Sequence, residues 1–220
     1  MRINKKSLLF FSAVFFFLFV MFSYVVHKKT LNQFDFDTTV RLQDHLPRRV
    51  DDLFSLLSTI GSAEVAGLFL LIFLIIRKKL NGIIVLFFFG FFHLFEIYGK
   101  TFVKHFPPPH FLLRTHELFN MPRFYVREEN SYPSGHAGRA MFITTIIAII
   151  VWNNQKLSQT QKIIILGILA CYDMTMFISR IYLGEHWTTD VIGGAVVGFS
   201  LALFSGIFII GGKKKQPTSS

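Results

Sequence analysis

Two short stretches collect most of the polar residues that stand out in this chain. One is Tyr132-Pro133-Ser134-Gly135-His136. The other runs from Ser179-Arg180 to Glu185-His186-Trp187-Thr188-Thr189-Asp190. His186 and Asp190 are four residues apart, just before an apolar run, so a helix beginning by His186 puts both side chains on one face. A carboxylate there accepts a hydrogen bond from one imidazole nitrogen, fixes the tautomer and makes the other nitrogen a better nucleophile. Such a nitrogen can attack phosphorus and carry the phosphoryl group as a phosphohistidine. Arg180 offers a planar, permanently charged fork that fits phosphate oxygens. Ser134 and Gly135 precede a second apolar run, where a hydroxyl and the N–H groups of a helix start can cradle an anion. His136 then stands beside that anion, placed to give a proton to a departing alkoxide.

These residues must be held by elements built for a membrane. Of the 220 residues 52% are apolar, 28 are Phe and only 16% are charged, where soluble domains carry roughly a quarter. The deficit lies in six apolar runs, at about residues 7–26, 53–76, 82–98, 137–152, 163–178 and 191–210. Each is close to the roughly 20 residues that cross a bilayer. The pattern predicts one all-α domain over 1–220, a polytopic membrane helix bundle of six transmembrane helices. The first run starts after basic residues, as a secretory signal does. Its end, Phe22-Ser23-Tyr24-Val25-Val26, lacks a small-x-small cleavage pattern, so it reads as an uncleaved span. Between the first two runs, Phe34, Phe36, Val40, Leu42 and Leu46 are spread among polar residues and suggest a short helix on the membrane surface. The Pro-rich segment from Gly99 to His136 is long for a connection, which marks it as functional or disordered.

Charge sets the expected orientation. Lys5 with Lys6, Arg77-Lys78-Lys79, Lys156 with Lys162, and Lys213-Lys214-Lys215 fall on one side of a six-span layout. By the positive-inside rule that side is the cytoplasm, with both termini, and the two chemistry-bearing loops are extracytoplasmic. The formal charge of +10 therefore reads as membrane anchoring. No basic-aromatic surface pattern points to nucleic acid. Cys171 is the only cysteine, and the histidines lack ligand spacing with acids or cysteines, so neither a metal nor another cofactor is expected.

Pro133-Ser134-Gly135-His136 followed by Ser179-Arg180-x5-His186-x3-Asp190 resembles the type 2 phosphatidic acid phosphatase superfamily, which includes lipid phosphate phosphatases and the soluble vanadium haloperoxidases. The resemblance implies that His186 is the nucleophile, Asp190 its orienting carboxylate and His136 the acid for the leaving group. It implies that Arg180, Ser134 and the Gly135 backbone bind phosphate without a metal. The family's first motif, Lys-x6-Arg-Pro, is matched by Lys100 and Pro108, but Pro107 stands where the arginine belongs. Arg114 is the candidate to supply that guanidinium, with Lys104 and His105 behind it. His93, Glu96 and Lys100 share one helical face, where Glu96 would neutralise Lys100 and His93 would complete a polar network. Asp173, inside the fifth run, is expected to bury against a partner such as Arg180. What the resemblance implies is a metal-independent phosphatase in the cell membrane. Its substrate would be a lipid phosphate or diphosphate such as phosphatidate, phosphatidylglycerol phosphate or polyprenyl diphosphate. The alternatives are a transferase that passes the group to a second lipid, and a membrane binding or transport protein that keeps the pocket without turnover.

Overall fold

A computed structural model describes residues 3–76, 82–116 and 129–210. The basic residues Arg77-Lys78-Lys79, Arg123, Arg127 and Lys213-Lys214-Lys215 lie outside these. The described residues form eight α-helices and no strand: α1 Lys5–His27, α2 Asn32–His45, α3 Asp51–Ile60, α4 Ala63–Ile76, α5 Gly82–Phe102, α6 Gly135–Asn153, α7 Gln159–Tyr182 and α8 Thr188–Ile209. Polar residues at the apolar boundaries start several of them. Asn4 caps α1 by accepting from the Lys6 N–H at 3.1 Å, Ser134 caps α6, and Ser158 with Gln161 forms a capping box on α7.

Helices α1, α5, α6, α7 and α8 are each long and apolar enough to cross a membrane. The sixth expected span, 53–76, is not one straight helix. It is the pair α3 and α4, bent by 58° at Gly61-Ser62. The break has a local cause. Ser62 Oγ accepts from the Val65 N–H and starts α4 as a new helix. At Gly61 a side chain would press on Met176 and His136. The fourth and fifth runs, 137–152 and 163–178, are longer as helices: α6 spans Gly135–Asn153, and α7 spans Gln159–Tyr182 with Ser179, Arg180 and Tyr182 buried at its end.

The surface helix expected between the first two runs is α2, with its polar side turned inward. Asp35, Thr39 and Gln43 are buried, while Phe34 and Phe36 are exposed.

α6 and α8 form the centre. Their spans are 67% and 61% buried, against 17% for α1 and α7, so these two helices carry the geometry that everything else surrounds. They touch backbone to backbone. A Cβ at Gly194 would collide with the Ser134 carbonyl, and one at Gly198 with the Gly138 carbonyl. Small residues at such a crossing let membrane helices approach closely. α1 lies antiparallel to α8, tied by reciprocal bonds of 2.9 Å in which Ser12 and Ser200 hydroxyls donate to each other's carbonyls. At one end Leu8 packs with Ile149 and Leu203, and Asn153 accepts from the Ile3 N–H. At the other, Ser23 meets the Tyr132 hydroxyl at 2.8 Å beside the start of α6. Phe residues fill the seams, as at Phe88–Phe204 and Phe16–Phe95, and others, such as Phe10, Phe17 and Phe87, face outward.

Candidate active site

The end of the bundle where α6 and α8 begin and α7 finishes gathers the two sequence motifs. The crossing of α6 and α8 continues into this region through the Ser134 N–H, which donates to the Asp190 carbonyl at 2.9 Å. The two loops are thus joined by a main-chain bond as well as by packing. His136 and His186 face each other with ring centroids 6.5 Å apart and planes inclined at 57°. That spacing is short enough for both imidazoles to reach one phosphoryl group.

His186 lies just outside α8, which starts at Thr188, yet the four-residue spacing still brings its Nδ1 to 3.6 Å from Asp190 Oδ2. No hydrogen bond closes there. Asp190 Oδ2 accepts from the Trp187 N–H at 2.9 Å, and its Oδ1 accepts from His105 Nδ1 at 2.7 Å. Asp190 is fully buried, so its charge is balanced by these neighbours together with His186.

His136 occupies the first turn of α6, where the N–H groups of Gly135 and His136 have no partner within the helix. Its Nε2 donates to the Ser58 carbonyl at 3.1 Å. This carbonyl belongs to the last turn of α3, and the bend at Gly61 is what exposes it. The Gly61 carbonyl, freed in the same way, accepts from Arg139 Nε at 3.1 Å. The broken span therefore holds two side chains of α6 with carbonyls that a continuous helix would have used internally. With Nε2 committed, Nδ1 is the nitrogen of His136 available for proton exchange.

Arg180 is completely buried. Nε and Nη2 donate to Ser179 Oγ at 3.2 and 3.1 Å, Nη2 donates to the Phe54 carbonyl at 3.0 Å, and Nη1 pairs with Glu185. Glu185 also accepts from Thr115 at 2.7 Å and from the Ser58 hydroxyl at 3.3 Å. Burial works against the Glu185 charge, but Arg180 and the Thr115 hydrogen bond outweigh it and hold the carboxyl below its ordinary range. An ionised carboxylate thus lies against Nη1 of Arg180, where a phosphate oxygen would bind. Any phosphate using that nitrogen competes with Glu185.

On the far side of Gly135 lies a second charged group. Glu96 Oε1 accepts from Lys100 Nζ at 3.0 Å, and Oε2 meets His93 Nδ1 and Arg139 Nη1, each at 3.1 Å. A side chain at position 135 would collide with Glu96 and Arg139. Only glycine lets this cluster lie against the start of α6. Arg139, Arg180 and Glu96 are all near enough to act electrostatically on His136, so the two groups meet at that residue.

The structure thus brings together His136, His186, Asp190, Arg180, Ser134 and Gly135, with Lys100, Glu96 and His93 adjoining. It does not bring Arg114 to them. Its guanidinium donates to the Gln43 carbonyl at 3.2 Å and the Tyr182 hydroxyl at 3.1 Å, and lies over the Tyr182 ring. It braces a loop against α2 and α7, and the guanidinium missing at Pro107 is not replaced from there. His105 serves Asp190 rather than an open pocket. Asp173 pairs with Thr144 at 2.7 Å and not with Arg180. Glu185, Asp35 and Arg139 escape the sequence reading. Arg139 carries the same signal as Glu96, an ionisable group inside an apolar run. Asp35 shows only in the polar repeat Asp35, Thr39, Gln43.

A helical membrane bundle with two facing histidines, a buried arginine and a glycine-opened helix start is an arrangement able to hold a phosphoryl group. The chain belongs to the PAP2 superfamily, whose family model matches residues 80–210. It is 33% identical over 128 residues to phosphatidylglycerophosphatase B of Bacillus subtilis (strain 168), over 57% of this chain and 56% of that protein. The match thus spans little more than half of the curated relative's length. The fold is that of a transmembrane PAP2-type phosphatidylglycerolphosphate phosphatase from Bacillus subtilis, with a TM-score of 0.69 at 21% identity over 88% of this chain and 93% of that one. Aquifex aeolicus LpxE superposes with a TM-score of 0.58 at 25% identity, over 78% of this chain and 94% of its own.

Proposed function

We propose that this membrane protein hydrolyses a lipid phosphate or diphosphate through a phosphohistidine on His186, without a metal. The observation that carries the reading is the facing pair His136 and His186 beside Arg180, at one end of a membrane bundle. Nε2 of His186 attacks phosphorus, the bond from phosphorus to the leaving oxygen breaks, and His136 gives that oxygen a proton. Water then attacks the same phosphorus while His136, now lacking that proton, takes one from the water. The P–N bond breaks, its electrons return to the imidazole, and phosphate leaves. Arg180, the N–H groups at the start of α6 and the Lys100 cluster supply positive charge where the transition state is most negative. A substrate whose tail stays in lipid presents its phosphate at this depth.

The test is phosphate release by the purified protein from phosphatidate, phosphatidylglycerol phosphate and undecaprenyl diphosphate in mixed micelles. Release from at least one is expected. Vanadate, which copies five-coordinate phosphorus, should inhibit it, and EDTA should leave it unchanged. EDTA inhibition that added metal restores would sink the metal-free mechanism.

The same reading places the catalytic end outside the cytoplasm. Lys5, Lys6, Lys156 and Lys162 sit at the opposite end of the bundle, where the positive-inside rule expects cytoplasm. In intact cells, with Cys171 replaced by Ser, a membrane-impermeant maleimide should label His116→Cys and spare Lys156→Cys. Labelling of the second and not the first would reverse the orientation.

A further inference from the structure

Four side chains stand in line through the base of the site: Asp35, His105, Asp190 and His186. His105 comes from the loop after α5, the same loop in which Pro107 replaces the arginine of the first motif. Its Nδ1 donates to Asp190 Oδ1 at 2.7 Å, and its Nε2 lies 3.5 Å from Asp35 Oδ2. Both ring nitrogens face carboxylate oxygens, and only the imidazolium form has a proton for each. Burial works against that charge, but the hydrogen bonds to Asp190 and Asp35, together with their charges, push its pKa up to about 9. Asp35 is itself fixed to the start of α8. It accepts from the Thr189 N–H at 2.8 Å and the Thr189 hydroxyl at 2.7 Å. Asp190 therefore cannot turn about its side-chain bonds without giving up His105, and His105 cannot move without giving up Asp35.

We propose that His105 and Asp35 are positioning residues for the reaction, locking the Asp190 carboxylate in the rotamer that orients His186. The inference rests on the reading of His186 as nucleophile. Neither residue touches the phosphoryl group, because Asp190 lies between His105 and His186. Their effect is twofold. They fix geometry, and they share out charge. Without a cation behind it, Asp190 turns its full negative charge on His186 and favours the protonated ring, which has no lone pair for attack. With the imidazolium in place part of that charge is drawn away. Asp35 of α2 and Asp190 of α8 are the charged groups facing His105. Those facing His186 are Asp190, His136 of α6, Arg180 of α7, and Glu185 in the turn before it.

The experiment uses the purified full chain and whichever of phosphatidate, phosphatidylglycerol phosphate and undecaprenyl diphosphate it hydrolyses fastest in mixed micelles, across about pH 5 to 9. Four proteins are compared: wild type, His105→Gln, Asp35→Asn and the double variant. His105→Gln should lower kcat by about 10- to 100-fold with KM within about twofold, as expected for a misplaced reacting group. The acidic limb of its kcat/KM profile should move up by about one pH unit, from the lost neighbouring cation. Asp35→Asn, which keeps an acceptor for the Thr189 N–H and leaves the cation on Asp190 but frees His105 to move, should lower kcat in the same way without moving the acidic limb up. The double variant should be no worse than the worse single one, since both act through Asp190. If His105→Gln fails to give a cooperative melting transition, Asp35→Asn carries the test. Wild-type kcat and an unmoved limb in the folded variants would overturn the proposal, as would losses that multiply in the double variant. Wild-type release that also survives in His186→Ala overturns the reading beneath it, and this inference with it. Release that depends on His186 but not on His105 or Asp35 overturns this inference alone.

Discussion

His186→Ala is expected to reduce phosphate release to background, a loss of about 10⁴-fold or more. In the proposed mechanism both chemical steps run through this one nitrogen. It forms the bond to phosphorus in the first and surrenders it in the second, so no partial route remains. What is left is a bound ester facing water without an activated nucleophile. The fold gives the test a clean background. His186 Nδ1 makes no hydrogen bond among the described residues. Asp190 keeps the His105 and Trp187 partners that satisfy its buried carboxylate. The variant should therefore melt cooperatively and bind vanadate more weakly. The check is initial-rate phosphate release from the best substrate of the lipid panel, alongside a melting curve. Residual turnover above a tenth of wild type would remove His186 as nucleophile.

The parts of this molecule that sequence could reveal are those where chemistry and periodicity coincide. Six apolar runs announced the bundle, because a bilayer demands length and apolarity and little else. Histidine, aspartate and arginine at fixed short spacing announced one side of the site, since residues one turn apart share a face. What escaped has a common physical origin in distance along the chain. The bend at Gly61 is hidden inside an apolar stretch that reads as one helix. Yet it provides the carbonyl that holds His136, from a residue 78 positions away. Asp35 reaches the site from the far side of the sequence, 154 residues before Thr189, which it clamps. Arg114 shows the reverse error. A guanidinium close in sequence to the missing one was taken by a nearer aromatic face and carbonyl, and chain proximity did not become spatial proximity. Glu185 lay in plain view beside His186, but its type argues against a phosphate pocket. Only the geometry shows that it pairs with Nη1 of Arg180 as an internal anion.

The largest effect after that of His186 is expected at His136, and it should depend on the leaving group. The ring sits at the start of α6 with Nε2 held by Ser58, so replacing it with Gln keeps the size and a donor for that carbonyl while removing the exchangeable proton. An alkyl alcohol leaves badly without that proton, and release from a dialkyl or diacyl lipid phosphate should fall by about 10²- to 10⁴-fold. A p-nitrophenyl ester needs no proton to leave, so its first step should survive. The second step still needs a base to activate water, and that base is gone. The phosphohistidine should therefore accumulate. Rapid quench of His136→Gln with the nitrophenyl ester should show a burst of nitrophenol approaching one equivalent per chain, followed by slow turnover. Label from the phosphate should be bound to protein in an acid-labile, base-stable form. His186→Ala should show neither burst nor label. Equal losses on both esters, with no burst, would mean that His136 only shapes the pocket, and that the proton for the leaving group comes from elsewhere.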